Sequence, residues 1–234
     1  MDQNYSYQNQ PGLSVSMDFS QYVSRTFRWM GLGLLLTFAT AATVAYTNLI
    51  YMVHSLFLPL TIAELVMVFV LSARVNKMQV GTARSLFLGY SVLNGLVMSI
   101  YFVMFNQSTL IMAFMASALY FGIMALYGHR TGRDLLSWGV GLRAGLIAMV
   151  VSSLIGLLFG MSFMTSMLYS GIGLGLFMLI TARDVQMLQY NYQWFGRDDA
   201  MLEKSAIYGA LSLYLDFINI FLYVLQMFAR NQDN

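Results

Sequence analysis

The sequence predicts an all-α integral membrane protein, a bundle of seven transmembrane helices. Three observations predict it. Of 234 residues, 59% are hydrophobic and only 9% are charged, whereas a soluble domain carries about 25% charged residues. So few charges cannot cover a water-facing surface. The apolar residues come in long uncharged runs, and a run of about 20 crosses the hydrocarbon core as a helix. The alternating segments of about 10 residues that mark a membrane β-barrel are absent. Finally, Lys and Arg gather in every second connection between the runs.

The elements follow in order. Residues 1–20 are polar, aromatic-dotted and charged only at Asp2 and Asp18, unlike a secretory signal. They are expected to form a flexible cytoplasmic tail, with residues 21–234 as a single seven-helix membrane domain. The apolar segments fall at roughly 29–50, 54–73, 86–105, 109–127, 144–160, 164–182 and 206–228. Pro11 and Pro59 are the only prolines, so the helices contain few built-in breaks. In the third span Ser91, Gly95 and Ser99 recur every fourth residue, as do Gly171 and Gly175 in the sixth. Small residues at that spacing let helix backbones approach closely. No internal repeat is evident, so inverted-repeat transport gains no support. There is no cysteine, which excludes disulfides and thiolate metal sites.

The cations set the orientation. Arg25 and Arg28 flank the first span, and Arg74, Lys77 and Arg84 lie in the second loop. Arg130, Arg133 and Arg143 follow in the fourth loop, and Arg183, Arg197 and Lys204 in the sixth. A seven-span chain puts all of these on one side and only Arg230 on the other. The positive-inside rule then places the N-terminus in the cytoplasm and the C-terminus outside. A re-entrant last segment would return Arg230 to the cytoplasm.

Three carboxylates lie within or beside the spans: Glu64, Asp184 and Asp216. An acid inside the bilayer costs several kcal/mol and marks a functional site by default. Asp216 interrupts the stretch LSLYLDFINIFL (211–222), and Tyr208, Ser212, Asn219 and Tyr223 share its helical stripe. The last two spans are antiparallel, and Asp184 and Asp216 are each sixteen residues from Ala200 in the connecting turn. If both helices continue to that turn, the two carboxylates meet, with Thr181 one turn before Asp184. Such a pair shares a proton and titrates in coupled steps. Deprotonated, it offers hard oxygen ligands suited to Ca²⁺. Arg74 is a possible latch on one carboxylate. Arg183 is adjacent to Asp184, but neighbours on a helix point about 100° apart, so it is expected to face elsewhere. His54 and His129 read as residues at span ends.

LSLYLDFINIFL, the RD of TARDVQ (181–186) and the loop YGHRTGRDLLSWG (127–139) resemble the bacterial branch of the Bax inhibitor family, the transmembrane BAX inhibitor motif proteins, over about residues 20–230. The resemblance implies a seven-helix bundle with a central C-terminal helix that conducts Ca²⁺ as a pH-sensitive leak. The family's aspartate pair maps onto Asp184 and Asp216, and its second-helix acid onto Glu64. Its latch is a base at the cytoplasmic end of that helix. Aligning Glu64 and Gly81 puts Val75 at the base's position, with Arg74 adjacent.

Three functions compete. The first is a pH-sensitive calcium leak channel of the bacterial plasma (inner) membrane. Its ion pathway would run past Glu64 and Asp216, with Asp184 and Asp216 as sensing pair and Ca²⁺ ligands, Ser212 and Asn219 as polar support, and the lipid bilayer, protons and Ca²⁺ as its partners. No cofactor and no nucleic acid are expected. The second, an intramembrane aspartyl protease, is disfavoured: such enzymes carry G-x-G-D at the second acid, and here L-Y-L-D stands at 213–216. H-E-x-x-H is absent too, so the chain is not read as an enzyme. The third is a regulatory protein that binds other membrane proteins, such as a quality-control protease, with the tail as contact surface.

Overall fold

The computed structural model describes residues 17–74, 77–159, 167–196 and 198–230, and among these every regular element is helical. The chain runs through α1 (Phe19–Ala45), α2 (Leu49–Ser55), α3 (Phe57–Arg74), α4 (Val80–Met104) and α5 (Gln107–Arg130). A 3-10 turn at Leu136–Trp138 then leads into α6 (Gly139–Phe159), α7 (Met167–Phe195) and α8 (Asp199–Arg230). Residues 1–16, most of the expected tail, lie outside the described residues, and α1 already starts at Phe19.

Local chemistry fixes the helix starts. Asp18 and Gln21 form a reciprocal capping box ahead of α1, which satisfies two backbone donors that a helix start leaves free. Asn106 accepts from the Thr109 N–H at the start of α5 (2.8 Å). Asp198 accepts from the Met201 N–H at the start of α8 (3.0 Å), and Asp199 adds a negative charge to that first turn, where the helix dipole favours it.

Among the described residues, six helices are long and apolar enough to cross a bilayer, and α2 with α3 supplies a seventh crossing if that pair, bent by 76°, counts as one. The break between α1 and α2 corrects the expected boundary of the first span, and the α2–α3 bend falls within the expected second span, 54–73. Residues 29–50 are not one helix: α1 stops at Ala45, and Leu49 and Ile50 already belong to α2. The chain turns again at Leu56, and Pro59 stands in the first turn of α3. A proline there forfeits no hydrogen bond, because the first four N–H groups of a helix have no intrahelical partner.

α8 is the central element and packs against α1, α4, α5 and α7. Leu213, Tyr214, Asp216, Phe217, Ile220 and Phe221 are all buried, while Ser212, Leu215, Asn219 and Leu222 on the other side of the helix are partly exposed. The outer helices turn bare hydrophobics outward, among them Leu35, Phe69, Met115, Leu119 and Leu168. That is the surface expected of a bundle solvated by lipid.

Glycines set the closest crossings. A Cβ on Gly95 would stand 2.6 Å from the Thr37 carbonyl oxygen of α1, and Ser91 and Ser99 are buried on the same face, so this stripe packs as its spacing predicts. The sixth-span pair does not. Nothing lies within 4 Å of a Cβ on Gly171 or Gly175; the packed glycine is Gly173, whose Cβ would enter the Tyr223 ring at 2.4 Å. On the α5–α7 crossing, Gly128 lies directly on the Ala182 backbone.

Candidate functional site: two polar sites on opposite faces of α8

α7 continues to Phe195 and α8 begins at Asp199, so the helical extensions that the carboxylate pair requires are present. Their register differs by one turn from the expected one. Ser170 bonds Gln226 (3.1 Å), Gly173 meets Tyr223, and Ser212 bonds Asp184. Each of these pairs is equidistant from Asp198, not from Ala200. Asp184 is therefore level with Ser212, and Asp216 lies one turn farther from the loop, against Thr181.

Asp184 is held from two sides. Its Oδ2 accepts from the Ser212 hydroxyl, and its Oδ1 accepts from Arg183 Nη1 at 2.7 Å. The expectation that Arg183 faces away is overturned. The side chain is long enough to curl back over its neighbour, and Gly139 makes room for it: a Cβ there would stand 3.0 Å from Arg183 Nε. Asp216 is 3% exposed, and its Oδ2 has no hydrogen-bond partner among the described residues. Asp184 and Arg183 lie within electrostatic reach of it. Thr181 donates to its own helix at Phe177 O (2.8 Å). Asn219 likewise donates to its own helix, at Leu215 O (2.7 Å), rather than to a carboxylate.

A cavity of about 420 Å³ leads to this place along α6, α7 and α8. It starts beside Phe195 and Met201 near the α7–α8 turn and ends at Asp184 and Ser212, with Arg143, Arg183 and Tyr208 on its wall. Asp216 is not among its lining residues. The loop after α5 is tied to α7: Gln186 accepts from the Leu135 N–H and donates to Arg133 O, both at 2.8 Å. Gln189 donates to His129 O at 3.0 Å. The loop 127–139 and the TARDVQ segment are thus one structural unit whose product is the seating of Arg183. Arg74 is exposed and forms no ion pair among the described residues. Val75 and Arg197 lie outside the described residues.

Glu64 occupies the other site. Its Oε1 accepts from Asn94 Nδ2 and from the Tyr90 hydroxyl (3.2 Å). Asn94 Oδ1 accepts from the Tyr214 hydroxyl (3.0 Å), which lies 2.6 Å from Thr37 Oγ1. Thr37 also donates to Ser91 O (2.8 Å). The network joins α3, α4, α8 and α1. Tyr214 and Asp216 are two residues apart, hence about 200° around α8, and so each meets a different site.

Among the described residues no group of three or more His, Asp or Glu side chains comes together. One site sets Asp184 and Asp216 beside the Ser212 and Thr181 hydroxyls and the Arg183 guanidinium, and the other sets Glu64 beside Tyr90 and Asn94. Sequence reasoning missed Tyr90, Asn94, Tyr214 and Thr37, although Tyr90 and Asn94 stand four apart in an apolar run, the same signal that exposed the Asp216 stripe.

The sequence profile described as "Inhibitor of apoptosis-promoting Bax1" matches residues 19–233. The inner membrane protein YbhL of Escherichia coli K12 is 37% identical over 217 residues, covering 90% of this chain and 92% of that one. A Deinococcus radiodurans protein of uncharacterised role is 39% identical over 207 residues (88% and 89% covered). An uncharacterised membrane protein of Streptococcus pyogenes serotype M1 is 35% identical over 218 residues (91% and 93% covered).

Proposed function

The chain belongs to the Bax inhibitor family, and from that premise we propose that it is a proton-sensitive calcium leak of the bacterial inner membrane. The observation that carries this reading is Asp216: a carboxylate buried at 3% exposure in the central membrane helix, one oxygen unpartnered, one turn from a second carboxylate that a cavity reaches. A buried acid left without a partner is costly, and a site that alternately takes a proton and a hard cation accounts for its presence.

In the arrangement seen, Arg183 neutralises Asp184 and blocks it from a cation. This supports Arg183, rather than Arg74, as the latch in a closed form. A proton on Asp184 removes the charge that holds the guanidinium, and so weakens the latch. It also removes a Ca²⁺ ligand. Arg143, Arg183, Tyr208 and Asp216 are the other charged or titratable groups at that carboxylate, so the net response to acid reflects the balance of latch release against ligand loss. The inner-membrane location rests on the E. coli relative's name. The contacts of Arg25 and Arg84 with Glu203 gather the starts of α1, α4 and α8 at one end, which the positive-inside rule assigns to the cytoplasm. No catalytic role is proposed for any residue.

The test is Ca²⁺ flux through purified protein in liposomes, measured across a pH series around neutrality. The parent's flux is expected to vary with pH and that of Asp216→Asn to be flat, since the amide keeps the shape but cannot ionise. A folded parent that passes no Ca²⁺ above empty liposomes at any pH overturns the channel reading. The regulatory reading, a protein that binds other membrane proteins, would then take its place.

A further inference from the structure

A crevice at the basic end, between α1, α4 and α8, takes no part in either buried site. It holds about 310 Å³ and is lined by Arg25, Arg28, Trp29, Leu32, Arg84 and Glu203. Three guanidinium groups face one carboxylate there. Glu203 Oε1 takes Arg25 Nη1 at 2.9 Å and also takes Arg84 Nη2. Arg28 is exposed and forms no ion pair among the described residues. The Arg84 guanidinium lies over the Trp29 ring, 5.4 Å from its centre, and its Nε is buried without a hydrogen-bond partner. The crevice therefore carries an excess of two positive charges and an unused donor, the complement of an oxyanion.

What lies below the charges identifies the kind of anion. Arg25, Arg28, Leu32 and Leu35 follow at spacings of three or four on α1 and so share one face. That face is bare throughout: Leu32 is 50% and Leu35 70% exposed. At 1.5 Å per residue, Leu35 is about 15 Å below Arg25. On α4, Val92 is exposed two turns below Arg84. The crevice thus passes from guanidinium groups through a tryptophan to Leu32, and the same face of α1 continues to the uncovered Leu35, the profile of a headgroup layer above hydrocarbon. A soluble phosphate would use only the upper half. We infer that this crevice binds an anionic phospholipid, its phosphate on Arg28 and Arg84 and an acyl chain along Leu32 and Leu35. The two excess charges select phosphatidylglycerol over phosphatidylcholine, whose ammonium the same arginines repel.

The test is native mass spectrometry of the full chain in detergent, titrated with phosphatidylglycerol or phosphatidylcholine of identical acyl chains. The wild type is expected to retain phosphatidylglycerol at least about fivefold better. Arg28→Gln breaks none of the ion pairs and should weaken phosphatidylglycerol about fivefold, the equivalent of about 1 kcal/mol per interfacial arginine, while leaving phosphatidylcholine unchanged. Glu203→Gln removes the competing carboxylate and should strengthen phosphatidylglycerol binding, whereas a purely structural role for Glu203 would weaken retention of both lipids. Equal retention of the two lipids by the wild type overturns the proposal, as does an Arg28→Gln variant with undiminished preference. Displacement of phosphatidylglycerol by excess inorganic phosphate overturns it too, because the anion alone would then be the ligand.

Discussion

Arg183 and Asp184 show how much one residue's setting changes its meaning. Their side chains are 13% and 10% exposed and 2.7 Å apart, so each is neutralised mainly by the other. Removing one member of such a pair leaves an uncompensated charge and costs about 3–5 kcal/mol, whereas removing both is far milder. Arg183→Gln alone is therefore expected to lower the unfolding temperature in detergent markedly, and Arg183→Gln with Asp184→Asn to recover most of the loss. Thermal unfolding of the two single variants and the double reads this directly; additive losses would show that the pair is not coupled. The sequence held only half of this site. Asp184 and Asp216 are legible because an acid in an apolar run is conspicuous. Arg183 was not legible, since a direction argument from Cα geometry ignores the reach of a side chain with four rotatable bonds. Gly139, which seats its guanidinium, is remote in sequence and carries no local signal.

At the scale of elements, the glycine crossings decide how α5, α7 and α8 lie against one another. A Cβ on Gly128 would collide with the Ala182 backbone, which cannot step aside without moving a helix; on Gly209 it would meet the flexible end of Leu188 at 2.4 Å, and on Gly171 nothing. Gly128→Ala is expected to cost about 1–3 kcal/mol or more and Gly209→Ala less. Gly171→Ala should be neutral or slightly stabilising, because alanine is the better helix former by up to about 1 kcal/mol. Unfolding midpoints in detergent rank the three. Before the fold is known, Gly171–Gly175 and Ser91–Gly95–Ser99 look alike, since spacing identifies a small face but not which way it turns. Helix type was legible from long apolar runs, and the central place of α8 was implied by the family resemblance. The α2–α3 bend was not, because Leu49–Ser55 continues the apolar character of its neighbours.

At the scale of the whole molecule, the proposed orientation rests on the basic end. The chain contains no cysteine, so single cysteines report it cleanly. Gln107 and Ser137 are exposed and stand at opposite ends of the bundle, at the first residue of α5 and just before α6. In intact spheroplasts Gln107→Cys is expected to react with a membrane-impermeant maleimide, and Ser137→Cys only after lysis. The reverse pattern would invert the topology. The placement of Tyr214 and Asp216 on opposing sides of α8 has a final consequence. In the proposed leak, a turn or slide of that helix would relax one set of contacts only by disturbing the other, which would link occupancy at the two acids reciprocally. Tyr214→Phe, which touches neither Asp184 nor Asp216, is therefore expected to shift the pH midpoint of Ca²⁺ flux. Glu64→Gln should shift it as well, and the size of either displacement measures how stiffly the central helix transmits one site's state to the other.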